Sequence, residues 1–142
     1  MLHSLKKFFN RPPDWLLSGL LTLALVWVVI GSVEIFAIAI RHEYVPASFL
    51  GWCVRFLYMW GYAISLFLVE LMAGNAAVSE QLISICIVLL GLVITSPVYF
   101  IIGACISTKK DSTIILASVL IGLHLALDGM ATIWLVRFLF DA

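Results

Sequence analysis

The chain has 142 residues, of which 64% are hydrophobic and only 11% charged, with a mean hydropathy of +1.18. A soluble domain is about 45–50% apolar and about 25% charged, so this composition excludes a water-soluble globular protein and predicts an integral membrane protein. Eight basic residues balance eight acidic ones; zero net charge leaves no basic footprint, and no nucleic-acid partner is expected.

Residues 1–14 form a basic amphipathic segment in which Leu2, Leu5, Phe8 and Phe9 are interleaved with Lys6 and Lys7. Such a segment lies along a membrane surface as a short helix or trails as a basic tail. Four apolar stretches follow, over 15–40, 49–72, 82–106 and 114–140. Each meets the requirement of about 20 mainly apolar residues for a transmembrane helix. The first is too long for the core of a cleaved signal peptide, which runs to about 7–15 residues, despite its Ala37-x-Ala39 pattern. Asp14 after Pro12-Pro13, Ser79 with Glu80, and Asp111 or Ser112 are the expected caps of the first, third and fourth helices. Pro97 should kink the third helix and leave the carbonyl of Val93 without its usual partner.

The predicted fold is therefore an all-α integral membrane protein, a single domain over 1–142 built as a four-transmembrane-helix bundle with short loops and expected to be oligomeric. The connections 41–48, 73–81 and 107–113 are too short to fold on their own. Cys53, Cys86 and Cys105 stand singly in apolar runs and read as small buried hydrophobes, with a Cys53–Cys105 bridge as a minor alternative. Four crossings place both termini on one side with Lys6, Lys7, Arg11 and Arg137; Arg41, Arg55, Lys109 and Lys110 fall on the other. The totals tie, but the flank of the first helix favours cytoplasmic termini in a multi-pass protein of a cell (inner) membrane. A tie also suits dual topology, which keeps a transporter reading open.

Charges within the spans pair by depth. Glu34 and Arg55 each fall six residues from a helix end, about 9 Å below the same interface at 1.5 Å per residue, and an ion pair between them is expected. Glu70 and Arg137 share the opposite face as a weaker pair. His124 and Asp128 lie one helical turn apart deep in the last span, on the same helix face. Asp128 has no basic partner at its depth, although burying an ionisable residue there costs about 2.5–3.5 kcal/mol on insertion scales. Tyr62 comes level with it, and Thr95 and Ser96 with His124, so a polar cluster of His124, Asp128, Tyr62, Thr95 and Ser96 is the candidate intramembrane site. As a purely structural lock, Asp128 would hydrogen-bond His124 or Thr132. On the face roughly opposite, Ser118, Gly122, Ala126 and Gly129 form a small-residue stripe suited to close helix packing, and Gly91 and Thr95 add a shorter step of this kind.

No catalytic motif is present, and no enzymatic activity, metal or cofactor is expected. The favoured function is a structural or regulatory subunit that lives in the lipid bilayer and self-associates or docks onto a larger membrane complex. A second reading is a proton- or ion-coupled transporter or channel using Asp128 and His124, with Arg55 and Glu34 near one mouth. A third is a redox-complex anchor holding haem or quinone near His124, with Met59 or a second protomer as the other axial ligand.

Overall fold

The computed structural model describes residues 1–74 and 79–141. Among them the secondary structure is entirely helical: α1 Leu2–Asn10, α2 Asp14–Arg41, α3 Phe49–Phe56, α4 Met59–Ala73, α5 Glu80–Ser107 and α6 Asp111–Asp141. Three of these, α2, α5 and α6, are each long and apolar enough to cross a membrane. The 49–72 stretch departs from the expected straight span. It breaks into α3 and α4, which meet at 82°, although neither proline nor glycine stands at Leu57 or Tyr58. The backbone turns at Tyr58, with φ −135° and ψ 24°. The 15 residues of α4 rise about 22 Å, short of a hydrocarbon core of about 30 Å. With the bent pair counted as one crossing, the described residues hold up to four candidate spans; without it, three.

Local signals explain the starts of the three long helices. Ser79 Oγ accepts the N–H of Leu82 at 3.2 Å and caps α5. Asp14 enters the first turn of α2 behind Pro13, which takes the cap position itself; Asp111 likewise opens α6. In both places a carboxylate meets the positive end of the helix dipole. Helix α5 continues through Pro97 as one element. The connection predicted over 73–81 falls partly outside the described residues.

Helix α5 is the centre of the bundle, packed against α2, α4 and α6. Ile30, Ile38, Val54, Tyr58, Val88 and Leu92 form the buried core between α2, α3, α4 and α5. Helices α4 and α5 approach closely at Gly61, where a Cβ would fall 2.5 Å from the carbonyl oxygen of Gly91 and 2.6 Å from Thr95 Cγ2. That approach lets Ser65 Oγ donate to the carbonyl of Ile87 at 2.8 Å. Ser18 Oγ donates to the Gly103 carbonyl at 2.7 Å and ties α2 to α5. Such bonds matter in hydrocarbon, where helices gain no hydrophobic drive to associate.

The outer surface is apolar along every long helix, with Val28, Val93, Ile115 and Met130 all exposed. A surface of this kind is normal against lipid and would aggregate in water. Cys53 and Cys86 belong to that outer surface and Cys105 is half-buried; all three are free thiols. The expectation of buried cysteines thus fails for Cys53 and Cys86, because their helix positions face away from the core, and the Cys53–Cys105 bridge is not formed.

Candidate functional site

The helix break between α3 and α4 sets up the site. Ending one helix and starting another inside the bundle leaves carbonyls at the end of α3 and amides at the start of α4 without intrahelical partners. No water is at hand to satisfy them in a membrane interior. The side chain of Tyr58, the N-cap residue of α4, makes no capping bond. Helix α6 supplies the missing groups. Asp128 Oδ1 accepts the backbone N–H of Trp60 at 3.0 Å, occupying the place of an N-cap side chain from another helix. His124 Nε2 reaches the carbonyl of Leu57 at 2.7 Å. The i, i+4 spacing puts donor and acceptor on one face of α6, so one turn of that helix splints both sides of the break.

The partners of His124 fix its protonation pattern. Trp60 Nε1–H donates to His124 Nδ1 at 2.7 Å. An indole nitrogen only donates, so Nδ1 is the bare nitrogen and Nε2 carries the ring proton. Three acceptors surround Nε2: the Leu57 carbonyl at 2.7 Å, the Tyr99 hydroxyl oxygen at 3.1 Å and Asp128 Oδ2 at 3.1 Å. We place the proton on the shortest contact, to Leu57, which also accepts from the Tyr99 hydroxyl. Asp128 Oδ2 then remains fully buried without a hydrogen-bond donor among the described residues. The rings of Trp60 and Tyr99 meet the imidazole edge to face, at centroid distances of 6.1 and 5.0 Å.

Three residues expected in this cluster lie elsewhere. Tyr62 turns to Arg55, whose guanidinium sits 4.5 Å over its ring. Thr95 is buried but donates back to the carbonyls of Gly91 and Leu92 on its own helix. Ser96 Oγ accepts from Trp27 Nε1 at 2.8 Å and joins α5 to α2. The phase of each helix decides this: one helix position toward another neighbour is enough to remove a side chain from the cluster. Thr132 donates to the backbone carbonyl of Asp128 rather than to its carboxylate. In their place stand Trp60 and Tyr99, which sequence reasoning missed. Their only sequence trace is an unpaired Asp128, a buried acceptor in need of donors.

The second polar centre joins Glu34 and Arg55, 2.5 Å apart and each only 3% exposed. Arg55 Nη1 also donates to the carbonyl of Tyr44 at 2.9 Å, anchoring the 42–48 connection. Its Nε and the hydroxyl of Tyr58 are buried without a hydrogen-bond partner among the described residues. Glu70 is exposed, as is Arg137, and no ion pair joins them among the described residues. Ser118, Gly122 and Ala126 are exposed on α6 and Gly129 is half-exposed. A Cβ built on either glycine would meet nothing within 4 Å, so this stripe faces away from the bundle. Among the described residues no three of His, Cys, Asp and Glu gather as metal ligands would.

These features define the class: a multi-pass, all-helical membrane protein with two buried polar centres and an apolar exterior. No protein-family model matches the chain, and neither a curated protein nor a solved structure matches it.

Proposed function

We propose that the chain is a four-span subunit of a cell inner membrane, with both termini cytoplasmic, that self-associates or docks onto a larger membrane complex in a structural or regulatory role. The observation carrying this reading is the outward stripe of Ser118, Gly122 and Ala126 on α6, a helix whose inward polar face is already spent on α4. The stripe offers a second helix the close approach that small residues permit. Lys6, Lys7 and Arg11 beside the first long helix support the orientation. Native purification in mild detergent followed by mass spectrometry tests the proposal. A homo-oligomer or a defined complex lost in Gly122→Leu is the expected result; a monomer unaffected by that substitution would overturn it.

The second reading, proton- or ion-coupled transport, draws support from one atom. Asp128 Oδ2 is buried with no hydrogen-bond donor among the described residues and is thus the place where a proton would be held. Against it, the groove of about 500 Å³ beside the site is lined by apolar groups such as Phe67, Leu127 and Met130, a poor path for an ion. Flux in proteoliposomes that Asp128→Asn abolishes would favour transport over the subunit reading. The haem version of a redox anchor has less support, since both ring nitrogens of His124 are engaged and an axial ligand needs one free.

A further inference from the structure

A cleft of about 410 Å³ opens between the end of α2, the 42–48 connection and the first turns of α3. That volume falls within the range of about 300–1,000 Å³ usual for small-molecule sites. Its charged lining is Arg41, Arg55, Glu34 and Glu43, two positive and two negative groups. The two pairs differ in kind. Arg55 and Glu34 are locked together at the floor, whereas Arg41 and Glu43 stand 3.8 Å apart, with side chains 61% and 27% exposed. Arg55 lines the cleft although it is 97% buried, and its Nε has no hydrogen-bond partner among the described residues. One wall is the N-terminus of α3, whose first-turn amides lack intrahelical partners; Ser48 Oγ takes only that of Gly51, at 3.1 Å. Phe36 and Leu50, more than half exposed, flank the cleft with apolar surface.

We propose that this cleft binds the headgroup of a zwitterionic aminophospholipid, with its phosphate at Arg41 and the α3 amides and its primary ammonium at Glu43, above the Glu34–Arg55 floor. Helix N-terminal amides together with a guanidinium suit a phosphate. A neutral charge balance favours a headgroup carrying both signs, because an anionic headgroup would set its uncompensated charge against Glu43 and Glu34. A primary ammonium offers three N–H donors to carboxylates, which a quaternary ammonium lacks. The stretch from Glu34 to Arg41 spans about 10 Å along α2, so the cleft runs from the water edge into the acyl region, and Phe36 and Leu50 meet the tails. The proposal rests on the membrane class of the fold and is independent of the subunit reading.

Native mass spectrometry of the full chain in mild detergent tests it, with phosphatidylethanolamine, phosphatidylcholine and phosphatidylglycerol of identical tails added in turn. Loss of one or two charge-assisted hydrogen bonds should make retention of the ethanolamine lipid about tenfold stronger than that of the other two. Glu43→Ala should bring it toward the choline lipid and Arg41→Ala should weaken retention of all three lipids, while Lys6→Ala should leave it unchanged. Both cleft substitutions lie at exposed or half-exposed side chains, and an unchanged charge-state distribution reports that the fold is kept. Equal retention of all three lipids, preference for phosphatidylglycerol, or insensitivity to both cleft variants would overturn the proposal. Free phosphoethanolamine binding as strongly as the lipid would overturn the assignment to a lipid. Lipid adducts and protein oligomers differ in mass, so this result and the subunit test are read separately.

Discussion

The backbone N–H of Trp60 donates to the carboxylate of Asp128 at 3.0 Å, so a helix that begins without its own cap is capped by another helix sixty-eight residues away in sequence. The same turn of α6 brings His124 to the carbonyl of Leu57, across the break. Each member of the pair that looks like a reactive dyad in the sequence has a backbone partner, one on either side of the break.

Replacing Asp128 should therefore loosen the α3–α4 junction. In Asp128→Leu the Trp60 amide is left buried and unpaired, which costs about 1–3 kcal/mol. Asp128→Asn should cost less, because its carbonyl oxygen can still accept that N–H. As a neutral amide, however, it is a weaker acceptor than a carboxylate. Unfolding midpoints in detergent should fall in the order wild type, Asn, Leu; equal values for all three would remove the capping role.

Trp60→Phe keeps the ring but deletes the indole N–H that holds Nδ1 of His124 bare. Interhelical hydrogen bonds in membranes average about 0.6 kcal/mol, so the stability change should be small. The sharper readout is nitrogen NMR of the imidazole. The wild-type ring should show a single Nε2–H tautomer, and the variant a mixture.

The Glu34–Arg55 pair predicts strong non-additivity. Removing one partner, as in Arg55→Met or Glu34→Leu, leaves a buried charge alone and should destabilise by about 3–5 kcal/mol. The double substitution should recover much of that loss, since the pair itself stabilises little against apolar replacements of like volume. A double-mutant cycle checks this, and additive losses would contradict it.

Glycines on two helices should respond in opposite ways. Gly61→Ala drives a Cβ to 2.5 Å from the Gly91 backbone oxygen, and forced separation of α4 from α5 should cost about 1–3 kcal/mol. At Gly122 an added Cβ meets nothing within 4 Å, so the isolated fold should tolerate Gly122→Leu even where it breaks association. Thermal unfolding in detergent separates the two effects.

Much of this arrangement was legible in the residues. Apolar length places α2, α5 and α6 in a membrane, since backbone groups there must be satisfied internally and helices do so. Depth matching at a fixed rise per residue brings Glu34 to Arg55, because two unpaired buried charges would be far costlier. The i, i+4 spacing puts His124 and Asp128 on one face whatever surrounds them.

What those residues face was settled only by tertiary structure. Spans that are hydrophobic all round carry no amphipathic stripe to show which side turns inward. Tyr62 thus goes to Arg55, Thr95 to its own helix and Ser96 to Trp27, though all three lie at a suitable depth for the Asp128 cluster. The break at Leu57 and Tyr58 has no proline or glycine to announce it. It is stabilised from a distance, by Asp128 taking the free amide and His124 with Tyr99 taking the free carbonyl. Composition and spacing determine that the chain crosses a membrane and where its charges fall; only the packing of α6 against the α3–α4 junction decides that its buried dyad completes a broken backbone.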